Sequence, residues 1–118
     1  MFQRGAERIF KEVFKVECTA YYQNDRKDRI DFIKNVIGMG KVADAFLVDK
    51  GHKNGAEIHT VTTNGIIIIW NYHTHKLITL LVARPQQIKR YYIQYNKPIP
   101  MDIVNIAYEH YLKGWHNI

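Results

Sequence analysis

Apolar residues in the first third of the chain recur three or four positions apart, which is the period of an amphipathic helix. One stripe, within residues 3–16, consists of Ala6, Ile9, Phe10, Val13 and Phe14. A second stripe, within residues 25–37, consists of Ile30, Ile33, Val36 and Ile37. Gly38 and Gly40 follow it, and glycine commonly ends a helix. The pattern therefore predicts two N-terminal helices.

The pattern changes to that of β-strands between residues 41 and 84. β-Branched and aromatic side chains are frequent in residues 41–48, 56–63, 66–72 and 77–84. Such segments, separated by turn residues, are typical of strands. Asn64-Gly65 joins two of them, and this dipeptide favours the tight type I′ turn of a hairpin. The last three segments therefore predict an antiparallel meander, to which residues 41–48 add a fourth strand.

The C-terminal third returns to helical patterning. Pro85 suits the first position of a helix over residues 85–95, and the prolines within residues 96–100 mark a connector. A final helix is predicted over residues 102–113. We therefore expect one α+β domain over residues 1–118, with two N-terminal helices, an antiparallel meander sheet of three to four strands, and C-terminal helices.

The turn positions predict which side chains share a face of the sheet. With Asn64-Gly65 and Thr74-His75 at the two hairpin tips, His59 pairs with Trp70, and Trp70 pairs with Thr79. One face is then almost wholly aliphatic and is expected under the helices: Ile58, Thr60, Thr62, Ile67, Ile69, Ile78, Leu80 and Val82. The other face gathers Glu57, His59, Trp70, Tyr72 and Thr79, and is expected to face water.

The residue types on this second face suit RNA cleavage without a metal. Imidazole titrates near neutral pH, so His59 is a candidate general acid or base, with Glu57 as its partner or as a second titrating group. Thr79 is a candidate for hydrogen bonding to phosphate. Candidate substrate-binding residues are the cations Lys50, Lys53 and Arg84 and the base-stacking aromatics Trp70 and Tyr72. The alternative is a structural histidine among cross-strand aromatic contacts.

Two other groups of residues allow more than one interpretation. His52, His59, His73 and His75 lack the cysteine or carboxylate that completes a tetrahedral site, so we expect no metal and no cofactor. Residues 89–92 (Lys-Arg-Tyr-Tyr) interleave cations with tyrosines, as in surfaces that bind single-stranded nucleic acid. The same run is equally compatible with tyrosines packed inward on an amphipathic helix.

Composition narrows the class of protein. The chain has 118 residues, one cysteine (Cys18) and a formal net charge of +6. A lone cysteine and the absence of an apolar N-terminal region predict a cytoplasmic protein. The longest apolar run, residues 66–70, is too short to span a bilayer, so no membrane partner is expected. The positive charge favours contact with phosphate or with an acidic protein.

Residues 57–85, EIHTVTTNGIIIIWNYHTHKLITLLVARP, resemble one group of small ribonucleases. Helices followed by an antiparallel meander that carries a histidine are similar to barnase, EndoU, colicin-type tRNases and RelE-like toxins, including phage-borne members. The resemblance implies that a strand-borne histidine and a threonine near the end of the sheet act on RNA. Here His59 and Thr79 occupy the matching positions.

Two functions follow as hypotheses. The first is a nucleic-acid-directed protein, in the form of a metal-independent ribonuclease of toxin or phage type, with RNA as its partner. The second is a non-enzymatic phage or mobile-element regulator that binds a protein, or a second copy of itself, through aromatic residues of its C-terminal part. That predicted contact surface consists of Tyr91, Tyr92, Tyr95, Tyr111 and Trp115.

Overall fold

The computed structural model describes residues 27–49, 51 and 55–118. The predicted helix over residues 3–16 lies outside these residues, as do Cys18, Lys50, His52 and Lys53. Helix α1 (Lys27–Phe32) continues as a π-helical turn (Ile33–Ile37). The elements that follow are β1 (Val42–Val48), β2 (Glu57–Thr62), β3 (Ile66–Asn71), β4 (Leu77–Val82), α2 (Pro85–Gln94), α3 (Met101–Leu112) and a 3₁₀ turn (Trp115–Asn117).

The four strands form an antiparallel meander in the order β1-β2-β3-β4. The fold is therefore α+β, and the predicted strands and both C-terminal helices are confirmed. Their positions could be predicted because each follows from the local spacing of apolar residues. Helix α1 and the π-helical turn fall within residues 25–37, where the second helix was predicted. No helix among the described residues is long and apolar enough to cross a membrane.

The predicted register of the meander is wrong by one residue. His59 pairs with Ile69 instead of Trp70, and Thr79 also pairs with Ile69. A type I′ turn needs a positive φ at both Asn64 and Gly65, but only Gly65 has one, at 72°. Residues 63–65 instead form a three-residue loop that ends in a left-handed glycine. Each residue of β2 therefore pairs with the β3 residue one position before the predicted one, as His59 does with Ile69.

The side chain of Asn64 explains this choice of turn. Its amide donates hydrogen bonds to the carbonyl oxygens of Ile37 (3.0 Å) and Gly38 (2.7 Å), which lie at the end of the π-helical turn that follows α1. These bonds satisfy backbone acceptors that the helix end leaves without partners. These hydrogen bonds hold the hairpin tip against the π-helical turn, and they join residues that are far apart in sequence.

Because of the one-residue shift, Ile67 and Ile69 share a face with His59, and Ile68 and Trp70 lie on the other face. Helices cover both faces of the sheet. On one face, α1 and Trp115 pack over a cluster that includes Ile58, Ile68 and Trp70. On the other face, α2 and α3 pack over a cluster that includes Phe46 and Ile67. The expectation that one face of the sheet is open to water is therefore wrong, and Trp70 lies on the opposite face from His59.

Candidate acid–base site

Strand β2 and helix α2 together form a hydrogen-bonded cluster of three side chains. Glu57 and His59 are alternate residues of β2, so they project from the same face of the sheet. His59 Nε2 lies 3.0 Å from Glu57 Oε1, and His59 Nδ1 lies 2.5 Å from the hydroxyl of Tyr91 in α2. A carboxylate, an imidazole and a phenol are thereby joined in a continuous chain.

The position of Tyr91 is set by packing on β1. Its ring stacks on Phe46, with centroids 5.4 Å apart and an angle of 13° between the planes. Phe46 pairs directly with His59 across the β1–β2 ladder. The phenol is therefore held beside the imidazole by an aromatic contact as well as by the hydrogen bond.

The electrostatics of the site keep the Tyr91 phenol protonated. Burial, with smaller contributions from Glu57 and Tyr95, raises the pKa of Tyr91 to about 12. The phenol therefore keeps its proton at neutral pH, and in the tautomer of neutral His59 whose proton is on Nε2 it donates that proton to Nδ1. In this tautomer, Nε2 donates the ring proton to the Glu57 carboxylate.

The cluster borders a surface depression of about 200 Å³, lined by Val48, His59, Gln87, Arg90, Tyr91 and Gln94. The side chains of His59 and Glu57 are 12% and 20% exposed. The imidazole is thus partly withdrawn from water, and Arg90 supplies a permanent positive charge at the rim. This combination can bind an oxyanion and move a proton beside it.

Three residues predicted to act with His59 lie elsewhere. Trp70 is 3% exposed and donates from Nε1 to the hydroxyl of Thr60, so it belongs to the core of the opposite face. Tyr72 lies in the β3–β4 turn. Thr79 shares the row of His59, but two strand spacings, roughly 10 Å, separate their backbones. The structure does not bring these three side chains to the depression.

Of the three cations predicted to bind substrate, only Arg84 lies within the described residues. Lys50 and Lys53 lie outside the described residues. Arg84 is exposed immediately before α2, about 1.7 helical turns from Arg90. Arg90 and Tyr91 were not among the predicted site residues, although the basic and tyrosine-rich run 89–92 was the signal that could have identified them.

The tyrosines predicted as a protein-contact surface mostly point inward. Tyr92 is buried and donates a 2.8 Å hydrogen bond to Asp44, and Tyr95 donates to the carbonyl of Leu47. Tyr91 is bonded to His59, and only Tyr111 of this set is exposed. The inward packing of α2 tyrosines favours their structural role over a role in binding a partner protein.

Alkaline pH is expected to destabilise the protein partly through these buried phenols. Burial raises the pKa of both Tyr91 and Tyr92, and the hydrogen bond to Asp44 raises that of Tyr92 further. Above pH ~10, where an unfolded tyrosine ionises, the native state binds more protons, so its stability falls as pH rises. Urea unfolding of Tyr91→Phe between pH ~10 and ~12 is expected to show a shallower pH slope than the unsubstituted protein. An equal change in the exposed control Tyr108→Phe would contradict this explanation.

Comparisons of the chain with protein-family models, with curated proteins and with solved structures find no match. Within residues 27–49, 51 and 55–118, no three His, Cys, Asp or Glu side chains are grouped so as to hold a metal ion. The Glu57–His59–Tyr91 cluster is therefore the arrangement from which a function is inferred.

Proposed function

We propose that this protein is a metal-independent ribonuclease that cleaves RNA at the Glu57–His59–Tyr91 cluster. The supporting observation is the unbroken chain of hydrogen bonds from carboxylate to imidazole to phenol, beside a depression that Arg90 borders. A carboxylate that orients an imidazole, which acts on a hydroxyl, recurs in enzymes of unrelated fold. The expectation of a small toxin- or phage-type ribonuclease, drawn from residues 57–85, names the same imidazole, but its second residue, Thr79, lies outside the cluster.

In the first step, the cluster removes the proton from the 2′-hydroxyl of RNA. The phenol oxygen of Tyr91 accepts that proton while its own proton passes to Nδ1 of His59. The 2′-oxygen then forms a bond to the adjacent phosphorus atom. Glu57 stabilises the resulting imidazolium, as a carboxylate does in hydrolase triads. The raised pKa of Tyr91 keeps the phenol itself from ionising, so it relays the proton and does not store the charge.

In the second step, the bond from phosphorus to the 5′-oxygen breaks. The proton on Nδ1 returns to Tyr91 as the phenol delivers a proton to the departing 5′-oxygen. The products are a 2′,3′-cyclic phosphate and a 5′-hydroxyl, and the cluster is restored without a net change in protons. Arg90 neutralises charge on the phosphoryl oxygens, a role that a guanidinium performs with paired hydrogen bonds.

The direct test is cleavage of a defined single-stranded RNA in excess EDTA, with analysis of the product ends. We expect 2′,3′-cyclic phosphate ends, because the 2′-oxygen is the nucleophile. Tyr91→Phe retains the ring that stacks on Phe46 but lacks the relay hydroxyl, so we expect its cleavage rate to be lower by about 10²-fold.

Tyr72→Phe is the matched control, because Tyr72 lies in the β3–β4 turn, outside the cluster. It is expected to cleave at the original rate. RNA that stays intact in the presence of the folded, unsubstituted protein contradicts the proposal. Cleavage that requires a divalent metal, or that is equally fast in Tyr91→Phe, contradicts the mechanism.

A further inference from the structure

A second surface feature, a groove between α2 and α3, adjoins the acid–base cluster. It has a volume of about 560 Å³ and is lined by Arg84, Pro85, Gln86, Gln87, Arg90, Tyr108 and Tyr111. Arg90 and Gln87 also line the depression beside His59, so the two concave surfaces share one wall. A chain lying in the groove would therefore reach the cluster.

One side of the groove is positively charged. Residues 84–94 include Arg84, Lys89 and Arg90 and no Asp or Glu. Arg84 and Arg90 are both exposed and are separated by six positions, about 9 Å along a helix axis. Because both arginines line the groove, each can bind a different phosphate of an extended anion.

The other side of the groove is aromatic. Tyr108 and Tyr111 of α3 are 53% and 44% exposed, which is high for such large side chains. They are three positions apart on the helix and therefore share a face. Tyr111 also stacks on His116, with centroids 4.3 Å apart and a 20° angle between the planes. This stacked pair holds the tyrosine ring in place and offers a flat surface on which a further ring can stack.

We propose that this groove binds a single-stranded segment of RNA, with its phosphates on Arg84 and Arg90 and its bases on Tyr108 and Tyr111. Adjacent cationic and aromatic walls match the alternation of phosphate and base along a single strand. A duplex hides its bases from such a surface, so it fits the groove less well. The assignment of the bound strand as substrate rests on the proposed ribonuclease function, but binding itself does not.

The test uses a fluorescent single-stranded RNA whose 2′-hydroxyls are all methylated, so that binding is measured where transphosphorylation is blocked. Tyr108→Ala is expected to weaken binding roughly 5- to 100-fold, as for the loss of one stacked base. Arg84→Gln is expected to weaken binding about equally for all sequences and to reduce the slope of log affinity against log salt by about one.

Two substitutions at the opposite end of β4 serve as matched controls. Tyr72→Ala removes an exposed tyrosine and Lys76→Gln removes an exposed cation, both in the β3–β4 turn. Neither is expected to change affinity. Equal losses in the controls and the groove variants, or equal affinity for a duplex of the same sequence, would overturn the proposal.

The outcomes also distinguish the proposal for the groove from the proposal that the acid–base cluster cleaves RNA. Groove-dependent binding by a protein that leaves ordinary RNA intact supports the groove and rejects the ribonuclease. Cleavage with unchanged KM in both Tyr108→Ala and Arg84→Gln supports the ribonuclease and rejects the groove. Failure of the unsubstituted protein to bind the methylated strand also rejects the groove.

Discussion

Replacing His59 with alanine is expected to lower the rate of RNA cleavage in EDTA by about 10⁴-fold. This is the upper part of the range for a general acid–base group, because the same imidazole is assigned both proton transfers. The loss should appear in kcat, since the groove that binds the strand is formed by other residues. Single-turnover cleavage of a labelled RNA at saturating protein measures this step directly.

A control is needed because His59 also has structural contacts. It bonds to Glu57 and Tyr91, so its removal changes packing as well as chemistry. Imidazole added to the solution is expected to restore part of the activity of His59→Ala by entering the space left by the side chain. The exposed residue His73 provides the comparison, and His73→Ala should cleave normally. A folded His59→Ala protein with undiminished cleavage would leave the imidazole without a catalytic role.

The sequence predicted the elements of the fold better than the contacts between them. The strands and both C-terminal helices were predictable because each depends on the spacing of apolar side chains among neighbouring residues. The register was not predictable, because the Asn64 side chain bonds to the end of the π-helical turn and the loop takes three residues instead of two. That interaction links residues 26 or 27 positions apart, and turn propensity contains no information about it.

In the candidate site too, contacts within one strand could be predicted and contacts between elements could not. Glu57 and His59 could be assigned to one face from their spacing in β2, and their contact is local. The contact of His59 with Tyr91 spans 32 positions and depends on how α2 lies on the sheet. Trp70 was misassigned because a one-residue error in register moves a side chain to the other face. Alternation within a strand was therefore informative, whereas pairing between strands required the structure.

Substitution of Gly40 by alanine is expected to destabilise the protein by about 2–5 kcal/mol, because it combines two costs. Gly40 has a φ of +77°, a conformation that strains a residue with a Cβ. A Cβ there would also lie 2.8 Å from the backbone nitrogen of Asn64 and 2.8 Å from the hydroxyl of Thr63. Urea denaturation at neutral pH measures the change in the free energy of unfolding.

Gly114 separates the two costs because it shares the strained conformation but not the crowding. Its φ is +74°, and a Cβ there would meet no heavy atom within 4 Å. Gly114→Ala is therefore expected to cost about 1 kcal/mol, the contribution of backbone strain alone. The larger loss of unfolding free energy at Gly40 measures how closely Gly40 is packed against Thr63 and Asn64, at the hairpin tip that sets the register of the sheet. Equal losses at the two glycines would show that the close approach of Gly40 to Thr63 and Asn64 does not constrain the hairpin tip.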